Sequence, residues 1–244
     1  MNLFYDFHIH SCLSPCADND MTPYNLVNMA KLAGLDIIAL TDHNSCLNCP
    51  ATVEAGKKAG ITVVPGMELC TSEEVHIICL LPDLASAAAF SNNVYEHLPR
   101  IGNRADIFGD QLVMTPFDTV KENYPQLLAF ASTISVSGVV KKIGSFGGIC
   151  YPAHIDRPSN SVISNLGGIT PEMGFQAAEI TQKAEPADFI ARYPILKKMH
   201  LVTSSDSHRL EDIGIARRLI NLKRNDAESV IDFFNKFLGK NSQS

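Results

Sequence analysis

A chain of 244 residues that is 45% apolar can bury one substantial core, and its length lies within the range of a single α/β barrel; one domain over residues 1–244 is expected. The formal charge of -6 and pI near 5.7 leave no chain-wide basic footprint, which weighs against a stable nucleic-acid partner and leaves small anionic substrates open. No apolar run approaches the roughly 18 to 20 residues of a membrane span. The opening MNLFYDFHIH lacks the layout of a signal peptide, and seven cysteines at low density read as reduced thiols, so a cytoplasmic protein with no membrane partner is expected.

Apolar runs of four to eight residues recur along the chain, each followed by a polar turn and then a stretch of helical period, the pattern of βα units around a parallel sheet. The predicted strands are 3–8, 36–41, 61–67, 75–81, 147–153, 176–181 and 200–205, with a short extra run at 217–222. Seven central strands predict a distorted barrel of the α/β class. After the first strand, Thr22 and Pro23 form a helix start and Gly34 its stop, with Leu26, Val27, Ala30 and Ala33 on the buried face. Residues 83–146 break the rhythm with helices at about 83–97 and 134–144, and are read as an excursion over the barrel mouth. Near the end, Asn225 and Glu228 form an Asn variant of the capping box for a helix that turns Val230, Ile231, Phe234 and Leu238 inward.

Histidines and carboxylates collect at the ends of these runs: His8 and His10 in DFHIHS, Asp42 and His43 in ALTDHN, Glu68 in PGMEL, His76 in VHIICL, His154 in CYPAHIDRP, Asp206 and His208 in VTSSDSH. Residues i and i+2 of a strand share a face, so His8 and His10 can converge on one ion. Parallel barrel strands bring their C-terminal ends to one rim. Burying so many ionisable groups without counter-ions would cost several kcal/mol each, a difficulty that bound cations remove. Imidazole with carboxylate is the donor set of multinuclear hydrolytic centres. Cys46 and Cys49 in CLNC lack a second CxxC and are read as structural or incidental; His97 and His200 are read as ordinary surface or core residues.

The ordered set HxH, TDH, Glu, His, PAH and SDSH, from Asp6 to His208, resembles the polymerase and histidinol phosphatase (PHP) superfamily of metal-dependent phosphoesterases. The resemblance implies a distorted (β/α)7 TIM-like barrel with two or three divalent ions, Zn, Mn or Fe. By position, His8, His10, Glu68 and Asp206 would hold the first ion; Glu68 would bridge to a second on His76 and His154; His43 and His208 would serve a third. That third site takes one more ligand after the HxH pair, where this chain reads SCLSPCADND: Asp18 is the choice, with Cys16 and Asp20 as alternatives. Asp42 is expected beside an imidazole or bound water, with Asp42, Glu68 and Asp206 as the catalytic acids.

The expected chemistry is phosphoester hydrolysis by a metal-bound hydroxide. GxSxG and P-loop motifs are missing, which disfavours serine-hydrolase and nucleotide-triphosphatase chemistry. Arg157, three residues past His154, and Arg209, next to His208, are expected to grip substrate phosphate. The expected substrate is a small phosphorylated metabolite or nucleotide, with histidinol phosphate as the alternative. From other classes come a 3′–5′ exonuclease and a non-catalytic module of the same fold.

Overall fold

In the computed structural model, which describes residues 1–240 and side chains to Lys236, the apolar runs become strands. In chain order the elements are β1 (Asn2–Ile9), α1 (Pro23–Leu32), β2 (Ile37–Leu40), α2 (Cys49–Ala59), β3 (Thr62–Cys70), β4 (His76–Leu80), α3 (Leu84–Glu96), α4 (Ala105–Phe108), β5 (Leu112–Met114), β6 (Val120–Asn123), α5 (Val136–Gly144), β7 (Ile149–Pro152), α6 (Val162–Leu166), β8 (Ala177–Ile180), α7 (Pro186–Arg192), β9 (His200–Thr203), β10 (Arg218–Asn221) and α8 (Ala227–Lys240). No described helix is long and apolar enough to cross a membrane.

The main sheet has the order β10-β1-β2-β3-β4-β7, and β8 and β9 form a separate parallel pair. Beyond β7, Ile155 N–H donates to Glu179 O at 2.8 Å; beyond β9, His10 N–H donates to Ser207 O at 2.9 Å, beside the Ile9–Ser207 bridge to β1. The result is a mixed α/β fold with a curled sheet. It departs from the expected (β/α)7 barrel because β4 runs antiparallel to both β3 and β7. Only five residues, 71–75, separate β3 from β4, and a parallel crossover needs a dozen or more. The reversal has a functional consequence: the first residue of β4, His76, pairs with Cys70 at the far end of β3, so a strand start and a strand end share one rim.

The core divides at the sheet. Leu3, Tyr5 and Phe7 of β1 pack with Val230, Ile231 and Phe234 of α8, whereas Ile9 joins Leu26, Val27 and Ala30 of α1 on the other side. The switch coincides with a shift in register between Asp6 and Ile9; such irregularities re-aim side chains next to functional sites. The start of α1 is as expected, with Thr22 Oγ1 accepting from Asn25 N–H at 3.4 Å and Pro23 in the first turn, and Gly34 follows it at φ 71°. For α8 the cap is Asp226 rather than Asn225: Asp226 Oδ1 accepts from Ser229 N–H at 2.8 Å, while Asn225 uses its carbonyl to accept from Thr62 Oγ1. The shorter reach of an Asp directly preceding the helix wins. The expected inward turn of Leu238 lies outside the described side chains.

Residues 83–146 hold α3 and α5 near the expected positions, with a β5–β6 hairpin between them. They are stitched to segments that follow the first three strands. Leu112 N–H donates to Cys12 O at 2.8 Å, Met114 N–H to Asn48 Oδ1 at 2.8 Å, Asn44 Nδ2 to Leu128 O at 2.6 Å, and Ser132 N–H to Cys70 O at 2.9 Å.

Candidate metal centre

At the rim, two buried carboxylates gather six imidazoles. Glu68 Oε1 stands 3.0 Å from His76 Nδ1, 3.1 Å from His154 Nε2 and 3.3 Å from His8 Nε2. Its Oε2 stands 3.0 Å from His43 Nδ1 and 3.3 Å from His10 Nε2. The two oxygens thus share five rings, His8, His76 and His154 on one and His10 and His43 on the other. Asp206 Oδ1 lies 3.1 Å from His8 Nε2, 3.3 Å from His10 Nε2 and 3.6 Å from His208 Nδ1. All eight residues are brought together. Three sets have ligand atoms mutually within 4.8 Å: His8, His10 and Glu68; His43, Glu68 and His76; His10, His43 and His208.

The donor set fits divalent cations. Nδ1 of His154 is buried without a hydrogen-bond partner, and unpaired buried polar atoms are costly unless something else satisfies them; Asp206 Oδ1, also buried, faces the imidazoles of His8, His10 and His208. The backbone is strained at the same places: His154 (φ 26°) and Asp206 (φ 55°) hold left-handed conformations, as does Asn44 (φ 51°) just after His43. Such residues persist where the surroundings impose the geometry.

Three of the rings, His8, His10 and His208, are aimed by a contact on the outer side. His8 Nδ1 donates to Glu179 Oε1 at 2.9 Å, and the same oxygen accepts from His154 N–H at 3.2 Å. His10 Nδ1 donates to Ser14 Oγ at 2.9 Å; Ser14 Oγ also accepts from His43 N–H at 3.1 Å and donates to Asp42 Oδ1 at 2.8 Å. His208 Nδ1 donates to its neighbour's carbonyl, Asp206 O, at 2.9 Å, leaving Nε2 as the donor atom. These outer contacts fix tautomer and orientation.

Charge follows from the crowding. Burial pushes Glu68 up, but the imidazoles of His76, His8 and His43 outweigh it and hold its carboxyl well below the usual range. Asp206 is likewise held down, burial being overcome mainly by His8 and His10. Burial disfavours charge on His8 too, yet the carboxylates of Asp206, Glu179 and Glu68 raise its pKa well above normal. His208 goes the other way, to about 3, through burial and the proximity of His10, so it is a neutral donor at pH 7.

Four expected site residues lie elsewhere or act differently. Asp18 is exposed, with Oδ2 3.8 Å from Arg209 Nε, so its carboxylate is turned to solvent and to a cation instead of to His43 and His208. Arg209 thereby faces Asp18 at the surface. Asp42 spends its oxygens on Ser11 N–H and Ser11 Oγ, both at 2.7 Å, and on Ser14 Oγ; it acts through Ser14 on His10 and is a positioning residue. Arg157 Nη2 lies 2.6 Å from Asp206 Oδ2, and with Lys183, Thr181 and Ser205 it lines a cavity of about 440 Å³ that opens onto Glu179 and Asp206. Glu179 was not anticipated, although a lone acid in the apolar strand AAEI was the available signal. Cys46 and Cys49 are buried with their thiols toward Gly66 O at 3.1 and 3.6 Å, and His97 pairs with Thr133 at 2.8 Å, away from the centre.

The sequence profile of the PHP domain matches residues 6–157. The chain is 34% identical over 79 residues to the 5′-3′ exoribonuclease of Haemophilus influenzae, covering 31% of this chain and 28% of that protein. It is 33% identical over 91 residues to the 5′-3′ exoribonuclease Rnm of Salmonella typhimurium, covering 35% and 30%. The match therefore spans under a third of either relative. The fold superposes on the lesion-specific endonuclease PfuEndoQ of Pyrococcus furiosus with TM-score 0.72 and 16% identity, over 98% of this chain and 56% of that one. An endonuclease Q complex with a 27-mer duplex bearing an abasic lesion at the active site matches equally well, at TM-score 0.72 and 16% identity over 98% and 57%. These nucleases overturn the expectation of a small phosphorylated substrate without a nucleic-acid partner. That expectation rested on net charge, which counts side chains and omits cations held among them. By the profile match over most of its length, the chain belongs to the PHP domain family.

Proposed function

We propose that this PHP domain hydrolyses phosphodiester bonds of nucleic acid, RNA foremost, at a cluster of divalent cations. His8, His10, Glu68 and Asp206 would hold one cation, with Glu68 bridging toward His76 and His154, and His10, His43 and His208 facing a further position. Bound there, the cations supply an activated water and neutralise charge on the phosphoryl oxygens. The observation that carries the reading is the gathering of five imidazoles within 3.0–3.3 Å of the Glu68 carboxylate. RNA is favoured over DNA because the exoribonucleases are similar in sequence, whereas the DNA endonuclease is similar in fold.

The chain's own groups account for substrate placement. Arg157 presents its guanidinium at the edge of the cluster, where a fork of N–H donors suits a phosphate. The cavity beside it opens onto Asp206 and Glu179 and would receive the substrate backbone. Glu179 and the Ser14–Asp42 pair hold the imidazoles still while the phosphate is engaged.

The test is digestion of end-labelled RNA and single- and double-stranded DNA by protein reconstituted with manganese or zinc, beside Glu68→Gln. Losing the bridging charge should remove several kcal/mol of charge stabilisation, a fall of about a hundredfold or more in rate, with metal content reduced. Undiminished cleavage by Glu68→Gln, or no cleavage of any nucleic acid with either metal, overturns the proposal.

A further inference from the structure

We propose that the cavity beside Asp206 is a subsite for the ribonucleotide next to the scissile phosphate, with Lys183 holding that nucleotide's own phosphate and Asp212 accepting from its ribose 2′-hydroxyl. The inference rests on the nuclease reading above and concerns which residues of this chain select the substrate. The cavity, of about 440 Å³, is lined by Arg157 after β7, Thr181 and Lys183 after β8, and Asp206 and Asp212 after β9, and its size falls within the roughly 300–1,000 Å³ of small-molecule sites. Because Asp206 belongs both to this cavity and to the cluster, a nucleotide held here has its neighbouring phosphodiester at the cluster.

Most of the charged groups around the cavity are already engaged. Arg157 is ion-paired with Asp206 at 2.6 Å, Glu179 accepts from His8 and from His154 N–H, and Asp156 accepts from Thr181 N–H at 2.8 Å and from Thr181 Oγ1 at 2.6 Å. Lys183 and Asp212 are left: among the described residues neither side chain has an ion-pair or hydrogen-bond partner. Their opposite charges match the two parts of a nucleotide's backbone. An ammonium is a point charge suited to phosphate, and a carboxylate is the acceptor that holds a ribose hydroxyl in nucleotide sites. DNA lacks that hydroxyl, so the second contact separates RNA from DNA. The loop that carries Lys183 is braced for the task. Asp156 ties the segment after β7 to the segment after β8 through Thr181, whose Oγ1 in turn accepts from Lys183 N–H at 3.3 Å and whose carbonyl accepts from Ala184 N–H at 3.1 Å. Arg157, next to Asp156, and Lys183, bonded to Thr181, are therefore held by one small network.

Steady-state hydrolysis by the full chain, reconstituted with manganese or zinc, tests this on an RNA octamer, the DNA octamer of the same sequence, and bis(p-nitrophenyl) phosphate, a diester with neither sugar nor second phosphate. Lys183→Ala should raise KM for the RNA about fivefold or more, leave the nitrophenyl ester unchanged, and reduce the slope of log kcat/KM against log salt by about one. Lys183→Arg, which keeps the cation, should hold the wild-type KM. Asp212→Ala should lower kcat/KM for RNA about fivefold or more and leave DNA as it was. A Lys183→Ala protein with wild-type KM for RNA, or one that slows the nitrophenyl ester equally, overturns the assignment of Lys183. A loss on Asp212→Ala that RNA and DNA share overturns that of Asp212. Both results leave the cluster standing, whereas a wild-type protein that cleaves neither octamer overturns the nuclease reading itself.

Discussion

Replacement of Glu179 by Ala should weaken metal binding without touching a ligand. Glu179 is buried in β8 and its Oε1 accepts from His8 Nδ1 at 2.9 Å and His154 N–H at 3.2 Å, one contact aiming a ring and the other holding the strained backbone of a second ligand. A buried charge-assisted hydrogen bond contributes about 1.5–3 kcal/mol, which at 1.4 kcal/mol per tenfold is a loss of roughly 10- to 100-fold in affinity. An opposing effect must be weighed. Glu179 also helps raise the His8 pKa, so its removal eases the deprotonation that metal binding requires. The two separate by pH: at about pH 8 proton competition is small and the orientation loss shows in full, while at about pH 6 the easier deprotonation narrows the deficit. Glu179→Gln keeps the shape without the charge and should fall nearer the tenfold end. Competition against a metallochromic chelator, with circular dichroism as a check on folding, gives the affinities. A folded Glu179→Ala protein with wild-type affinity at the higher pH would refute the orienting role.

Arg157→Ala should raise KM for an RNA substrate about tenfold, the effect of one charge-assisted contact in a half-exposed position, with metal content unchanged; an unaltered KM removes Arg157 from substrate binding. Asp6 is buried, and burial pushes its carboxyl up to about 6 despite hydrogen bonds from Ser205. The folded form therefore binds more protons than the unfolded one between about pH 4 and 6, so stability falls as pH rises through that window by up to about 3 kcal/mol. Asp6→Asn should lose that part of the pH dependence in urea unfolding of metal-free protein, and identical pH profiles for the two proteins would contradict it. A Cβ at Gly66 would lie 2.9 Å from Cys79 O and 3.1 Å from Leu40 O, both backbone atoms, so Gly66→Ala should cost about 2 kcal/mol or more and loosen β3 two residues before Glu68. A denaturation midpoint equal to wild type would show that the strands can yield.

What was legible in the sequence was the chemistry carried by residue type: His8, His10, His43, Glu68, His76, His154, Asp206 and His208 stand out as polar residues closing apolar runs, and the structure gathers all of them. What was not legible depends on direction. The shift of register in β1 decides which face His8 and His10 occupy, and nothing in DFHIH announces it. Asp18 sits in the loop where one more acid was expected, and only the structure shows that its carboxylate turns toward Arg209 and away from the cluster. Ser14 looks like a loop serine, yet it stands between Asp42 and the ring of His10. The β3–β4 reversal was legible in principle, because five residues cannot carry a crossover; read with that limit, His76 at the start of a strand ceases to be an exception to the rule that ligands close strands.

The same distinction explains the error about partners. A formal charge of -6 describes the chain without the cations its rim can hold, and each divalent ion bound there adds two positive charges at the place where a phosphate would dock. The acids counted as repelling a polyanion include Glu68 and Asp206, whose neighbours hold them ionised, the form able to bind a cation. On the proposed reading, acidic residues at the rim would attract nucleic acid through the cations they hold. Net charge can bear on the partner only once those residues have been assigned to their cations.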